Sequence, residues 1–541
     1  MSRLAALLAC AALLASCAPT ATAPPDPQAR NPWTQAGTLR IGSPEEPDSL
    51  NPMFGNSAAT GDIANLLFEP LFRFDQNGEL VPAAATVVPT LRNGGISRDG
   101  KTITFHFRHG MQWSDGAPYD ARDFVFTWRA VMNPHNTARL QIGWDDVASM
   151  RLVDNQTVVV RLRAVNAGII NDLGGIGGSG FPPIPAHLLA GQASLDRSPF
   201  NAAPISSGPF ILTAWNHGAS LEFAPNPHYW RGAPGLQHIS YRIVPSSETL
   251  VSEMRTHELD VYDSVGEDQI STLATLGAGI TISQHLSANW RRLAFNTARP
   301  QLHDPRVRRA IAEGVDWDWM LRTIFHGYDR RAASDVVPSS WAAPAIRPWP
   351  YDPAEARRLL DAAGWRVGPR GVRVKDGSPL HFTVSTTPSK QANVQAEVQM
   401  QQQLRALGID LEIKNYPSNL LFAHDGPIYT GRYDSEFTIE TNGPDPDNEG
   451  LWSGRFIPPA GANTSWMNDP VITTTSHAAL LTYDRAQRKA LYGREEARIH
   501  ALVPAVFFYW QIQHAAINSD LRGWRPATYL SDFWNAWEWR I

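Results

Sequence analysis

Between Pro379 and Asn415 the chain reads strand, helix, strand, and this segment restricts its fold more than any other. Pro379 to Ser385 and Asp410 to Asn415 are the strands; Gln391 to Leu407 is the helix, with Gly408 marking its end. A strand that returns beside its predecessor after a helix runs parallel to it, because a parallel pair cannot be closed by a tight hairpin. The sheet is therefore predicted to be at least partly parallel, and the fold class to be α/β.

Other segments mix the same two elements. Thr102 to Phe107 alternates Ile103, Phe105 and Phe107 after an Asp99-Gly100 turn, and Thr157 to Arg163 alternates Val158, Val160 and Leu162. Asp120 is placed to cap a helix whose apolar face includes Phe124, Trp128 and Val131. Asp304-Pro305 and Asp352-Pro353 set an N-cap before a proline at the first helical position. Glu355 supplies a capping-box acid and Gly364 suits the position after the helix. Asp484 to Ala501 reads as a long helix followed by an apolar run from Val503 to Trp510. At 541 residues, two to four domains are expected.

The N-terminus reads as a leader. Arg3 precedes an apolar run, Leu4 to Ala15, of 12 residues. That is too short for a membrane-spanning helix of about 20 residues and has the length of a signal-peptide core. It ends in Leu14-Ala15-Ser16-Cys17, a bacterial lipobox pattern in which Cys17 is the expected lipidation site. Residues 1–16 are thus read as signal peptide and 17–37 as a tether, Pro-, Ala- and Thr-rich up to Pro32. Cys10 would leave with the leader, so neither of the two cysteines is available for an internal disulfide. No later apolar stretch approaches 18 residues, and a body held outside the membrane by its lipid is expected.

Charge and motifs exclude several chemistries. Lys+Arg 47 against Asp+Glu 52 leaves no basic excess for a nucleic-acid surface. Gly175 to Gly180 spells the dinucleotide fingerprint, but Pro182-Pro183 follows where a helix must begin. Asp445 to Gly450 resembles the start of a calcium loop, yet its twelfth position is Phe456. His106 and His109 fall on opposite faces of a strand. There is no H-E-x-x-H and no G-x-S-x-G. No cofactor, metal or catalytic residue is expected, and the chain is not read as an enzyme.

Several segments, in order, resemble one family. They are Leu39-Arg40-Ile41-Gly42, Pro47 to Pro52, Phe68-Glu69-Pro70-Leu71, Asp99 to Arg108, Trp113-Ser114-Asp115-Gly116 and Ala121 to Trp128. Ser207 to Phe210, Asn226 to Trp230, Phe295 to Thr297, Asp304 to Ala310, Tyr351 to Ala356 and Asp445 to Asn448 follow. The set resembles the extracellular solute-binding proteins of the peptide/nickel/oligosaccharide type, the lipid-anchored receptors of ABC importers. The resemblance implies a two-lobed periplasmic-binding-protein-like fold with an inserted subdomain in the first lobe. By analogy lobe I comprises 38–75, 210–295 and 505–541, the insertion 76–209 and lobe II 296–504, with hinges near Phe295 to Thr297 and Val503-Pro504. It further implies capture of a peptide or similar small polar solute by lobe closure, and delivery to permease subunits. An exported protein, periplasmic or on the outer face of the membrane, and a monomer are expected.

The resemblance also points to a site. The loop after the first turn, Gly55, Asn56 and Ser57, is expected to meet the ligand from lobe I, and Glu440 to Gly443 from lobe II. Peptide-binding members carry an aspartate there for the ligand's ammonium; this chain aligns Asn442, with Thr441 beside it and Glu440 as the nearest acid. A neutral amide lacks the charge-assisted bond, so a sugar-like or other non-peptide ligand stays open. Glu440 replaces it only if the register slips by two. Among 19 tryptophans, Trp290 and Trp452 are candidate stacking platforms, as is Phe126; Trp128, Trp230, Trp534 and Trp537 are read as structural. The rival readings are a sensor or chaperone-like lipoprotein on the same scaffold, and a secreted hydrolase.

Overall fold

The computed structural model describes residues 30–541 except 76–77, 177–179, 389–390 and 530. The leader and Cys17 lie outside the described residues. One mixed sheet of eleven strands runs through the molecule. From one edge its path is Asp410–Ile413, His381–Ser385, Ser435–Thr441, Ile280–Phe295 and Ala505–Asn518. It continues through Val261–Tyr262, Thr38–Ser43, His238–Ile243 and Ser220–Pro225 to Phe210–Asn216. The predicted strand, helix, strand unit is present: His381–Ser385 pairs in parallel with Asp410–Ile413 across the helix Gln391–Arg405. Thr38–Ser43 is also parallel to both of its neighbours.

Local signals placed most helix starts. Asp120, Asp304, Asp352 and Asp484 each accept backbone N–H groups of the first turn, which stabilises a helix by about 1 kcal/mol apiece. Asp120 forms a reciprocal box with Asp123. Glu355 does not close the expected box; its carboxylate takes Arg358 instead, at 2.6 Å. Gly364 has φ +90° just past its helix, a conformation that strains any residue with a Cβ. Gly175 ends the helix Ile169–Gly174 rather than opening one, so the described part of the glycine-rich stretch has the wrong polarity for a pyrophosphate.

The insertion is a three-stranded antiparallel sheet, Thr102–His106, Thr157–Leu162 and Val147–Asp154, with the helix Ala121–Val131 packed on it. Phe105, Phe124, Val158 and Val160 share one apolar cluster with Leu39, Ile41 and Ile63, so this unit and the first lobe form a continuous core. A second cluster gathers Val307, Ile311, Leu360, Phe382, Met400 and Phe437.

Two long strands, Ile280–Phe295 and Ala505–Asn518, cross from one core to the other. Ile280 to Leu286 pairs with residues 512 to 518, Trp290 pairs with Trp510, and the register shifts between Leu286 and Trp290. Ile280, Ile282 and Ala516 pack beside Leu250 and Tyr262, whereas Leu293, Phe295, Val506 and Phe508 pack in the second-lobe core. Leu286, Ala288, Trp290, Ala505 and Trp510 form a further cluster between these two. The end of the expected tether docks on the body. Asn31 and Thr34 donate to the Asp520 carboxylate, Trp33 stacks on His257 with centroids 3.6 Å apart, and the Gly37 N–H donates to the Ile541 carbonyl.

Candidate functional site

The strand Ser435–Thr441 carries the lobe II residues to the edge of the crossing strands, opposite Asn289 to Arg292. Alternation puts Glu436 and Glu440 on one face, where the guanidinium of Arg292 meets both, at 3.1 and 2.7 Å. Arg292 is fully buried and also donates to Thr464 at 3.0 Å. Burial pushes the Glu436 carboxyl up, and Arg292 works against that shift. A buried cation held by two acids is costly to break, because removing one partner leaves an uncompensated charge.

Asn442 is engaged inside the protein. Its carbonyl oxygen accepts the Trp290 indole N–H at 2.8 Å, and its amide donates to the Asp335 carbonyl at 2.5 Å. Trp452 donates its indole N–H to the Asp335 carboxylate at 2.7 Å, and Asn448 bridges Asp335 and Glu496. Trp290 and Trp452 are each 0% exposed. Neither presents a ring face to a solute in this conformation, which corrects the expectation for both. They pack on Phe507, and Arg292 lies 5.6 Å from each ring. Thr441 hydrogen-bonds Asn289, which in turn bonds Gln511. Two neighbouring acids, Glu495 and Glu496, are buried with them; burial and then the charge of Asp335 push both carboxyls well up.

The lobe I loop is organised by Asp48. Its carboxylate accepts the N–H groups of Asn56 and Ser57 and the hydroxyl of Thr60. Burial raises the Asp48 carboxyl, but these donors outweigh it and hold the group below its ordinary range. Ser57 caps the helix Ala58–Leu67, and a Cβ on Gly55 would lie 2.5 Å from the Thr60 methyl. The loop is thus rigid, with Asn56 exposed at its tip. Phe126 is half-buried and packs on the insertion core.

The insertion touches lobe II directly. The Tyr483 hydroxyl lies 3.2 and 3.1 Å from the carbonyls of Gly100 and Asn166, and the Ala167 N–H donates to the Leu480 carbonyl at 2.8 Å. Arg485 grips Glu79 with both terminal nitrogens. Beside these contacts is a cavity of about 570 Å³. Phe74 of lobe I with Leu80, Val88 and Ile170 of the insertion form one wall; Trp341, Asp445, Arg485 and Arg488 form the lobe II wall. None of the nine ligand-contact residues expected from the sequence lines it. Asp445, from the calcium-like stretch, is paired with Arg488. These bridging residues carry no sequence signal of their own: Glu79 and Arg485 are 406 positions apart and meet only through the fold.

Comparison with known proteins agrees with this architecture. NikA of Brucella suis, solved with Fe(III)-EDTA, superposes with a TM-score of 0.81 at 23% identity, covering 93% of this chain and 99% of that one. The Di/tripeptide-binding protein 2 of Pseudomonas aeruginosa is 26% identical over 519 residues, 91% of this chain and 93% of that protein. Protein XP55 of Streptomyces lividans is 31% identical over 352 residues, 64% of this chain and 61% of XP55. Residues 79–455 match the family described as bacterial extracellular solute-binding proteins, family 5 Middle. With that match spanning more than half of the sequence and a two-lobed mixed α/β body to go with it, the chain belongs to the family 5 bacterial extracellular solute-binding proteins.

Proposed function

We propose that this protein is the receptor of an ABC importer. It captures a peptide or similar small polar solute between its lobes and presents the closed form to permease subunits. Export follows from residues 1–16, and a lipid on Cys17 holds the receptor at the membrane as a monomer. The observation that carries this reading is the pair of strands Ile280–Phe295 and Ala505–Asn518, which join the two cores and lose register twice, with extra residues on the first strand between Leu286 and Trp290 and on the second between Phe507 and Tyr509. Such irregularities in adjacent strands weaken the ladder where the cores meet, and a solute touching both lobes favours closure by its differential affinity. Lobe II then begins at the first of them, near residue 288, and ends near residue 511, with the insertion kept on lobe I. Catalysis has no role in this reading.

Small-angle scattering tests it: adding cargo is expected to lower the radius of gyration. A panel of peptides, sugars and metal chelates that neither contracts the protein nor raises its melting temperature would count against transport. A second reading, a non-peptide cargo, is favoured by the state of the two candidate ammonium acceptors. Asn442 is occupied by Trp290 and Asp335, and Glu440 by Arg292. The same panel discriminates, since a sugar or chelate would contract the receptor where peptides fail.

A further inference from the structure

We infer that the cavity between the insertion and lobe II is a second binding site, for an aromatic or aliphatic carboxylate, distinct from the cleft expected at Gly55 to Ser57 and Glu440 to Asn442. Its size, about 570 Å³, lies within the range of small-molecule sites. Its walls differ in character. On one side Phe74 of lobe I with Leu80, Val88 and Ile170 of the insertion give an apolar surface, extended to the mouth by Leu91, which is 48% exposed. Facing them is Trp341, whose ring carries the guanidinium of Arg485 at 4.9 Å and that of Arg488 at 5.5 Å.

The charges around this space do not balance. Glu79 is held by Arg485 and Asp445 by Arg488, which leaves Arg92 as the lining cation with no ion pair among the described residues. Arg92 is exposed, whereas Arg488 is a buried cation with one donor unpartnered among the described residues. It is 6% exposed, its terminal nitrogens hold Asp445 and Tyr492, and its Nε–H has no partner. A buried donor left unpaired is unfavourable. One anionic group entering from the Arg92 side, with its apolar body against Val88 and Ile170, satisfies the excess positive charge and covers the exposed Leu91. With Trp341 facing that body across the cavity, such a ligand spans insertion and lobe II and so favours the closed arrangement.

Calorimetric titration of the purified chain with 4-phenylbutyrate and with the uncharged 4-phenylbutyramide tests this. The acid is expected to bind at least tenfold more tightly than the amide. Arg92→Gln should abolish that preference, and Leu91→Glu, at an exposed rim position, should weaken both ligands, the acid by about tenfold more than the amide. Equal affinities, a preference that survives both substitutions, or no binding of the acid to folded protein would each overturn the inference. Contraction on cargo without phenylbutyrate binding would overturn it alone and leave the transport reading standing.

Discussion

Asn442 shows how a residue's partners decide its role. The family resemblance leads one to expect it at an ammonium-binding position, yet both ends of its amide are used internally, by Trp290 and by Asp335. Asn442→Asp keeps the acceptor for Trp290 but loses the donor to Asp335 and adds a carboxylate beside other acids. It is expected to destabilise the protein by about 1–3 kcal/mol, read as a lower midpoint in urea, and not to improve peptide affinity. Glu495 is the reverse case. It is 0% exposed, neither carboxylate oxygen has a partner among the described residues, and burial pushes its carboxyl well up. A folded-state pKa above the unfolded one means that the native form binds the extra proton. Stability is then full below the ordinary carboxylate range and falls as pH rises toward the native value. Glu495→Gln should therefore raise the melting temperature at pH 7 to 8 and change it little near pH 4; a drop at neutral pH would refute this.

The helix Gln391–Arg405 carries the same logic to an element, because its packing traps Glu397 beneath the strand end at Asn415. The Asn415 amide donates to Glu397 at 2.6 Å, but burial dominates and pushes the carboxyl to about 7, from an ordinary 4.5. A shift of this size corresponds to roughly 3 kcal/mol of stability lost between pH 4.5 and 7. In Glu397→Gln that slope should be flatter, with the gain largest at and above pH 7 in denaturant melts. This unit also marks what the sequence makes legible. Parallel strands around a helix, the Asp caps and the position of Gly364 are local, set by residues a few positions apart, and the structure bears them out. Trp290 and Trp452 could not be placed that way. Their burial depends on Phe507, Asp335 and Asn442, which are distant in the chain. The docking of Asn31 and Thr34 on Asp520 is likewise invisible in the sequence, because the partner is nearly 500 positions away. Family resemblance reached the architecture because order along the chain survives divergence, whereas which side chain faces a cleft does not.

At the scale of the molecule, the question is what holds the lobes together. The crossing strands connect them covalently, Tyr529 bonds Ser339 and Ser340 from the C-terminal segment, and the polar contacts between insertion and lobe II include the Tyr483 hydroxyl, the Ala167 to Leu480 bond and the Arg485 to Glu79 pair. The ion pair is half exposed and contributes about 0–1 kcal/mol; each neutral hydrogen bond contributes about 1 kcal/mol. Such a latch is weak enough to open for cargo, yet about 2 kcal/mol matters to a two-state equilibrium. The double variant Tyr483→Phe, Arg485→Ala removes the two side-chain contacts and leaves the backbone bond and both cores intact. If the open form predominates without cargo, closure draws on cargo contacts plus the latch, and losing about 1.4 kcal/mol of latch weakens affinity about tenfold. Because cargo meets the open form first, the change should fall on dissociation, with association nearly unchanged. Stopped-flow tryptophan fluorescence separates the two rates, and scattering with saturating cargo should still show full contraction. Unchanged dissociation would mean that these contacts accompany closure without stabilising it.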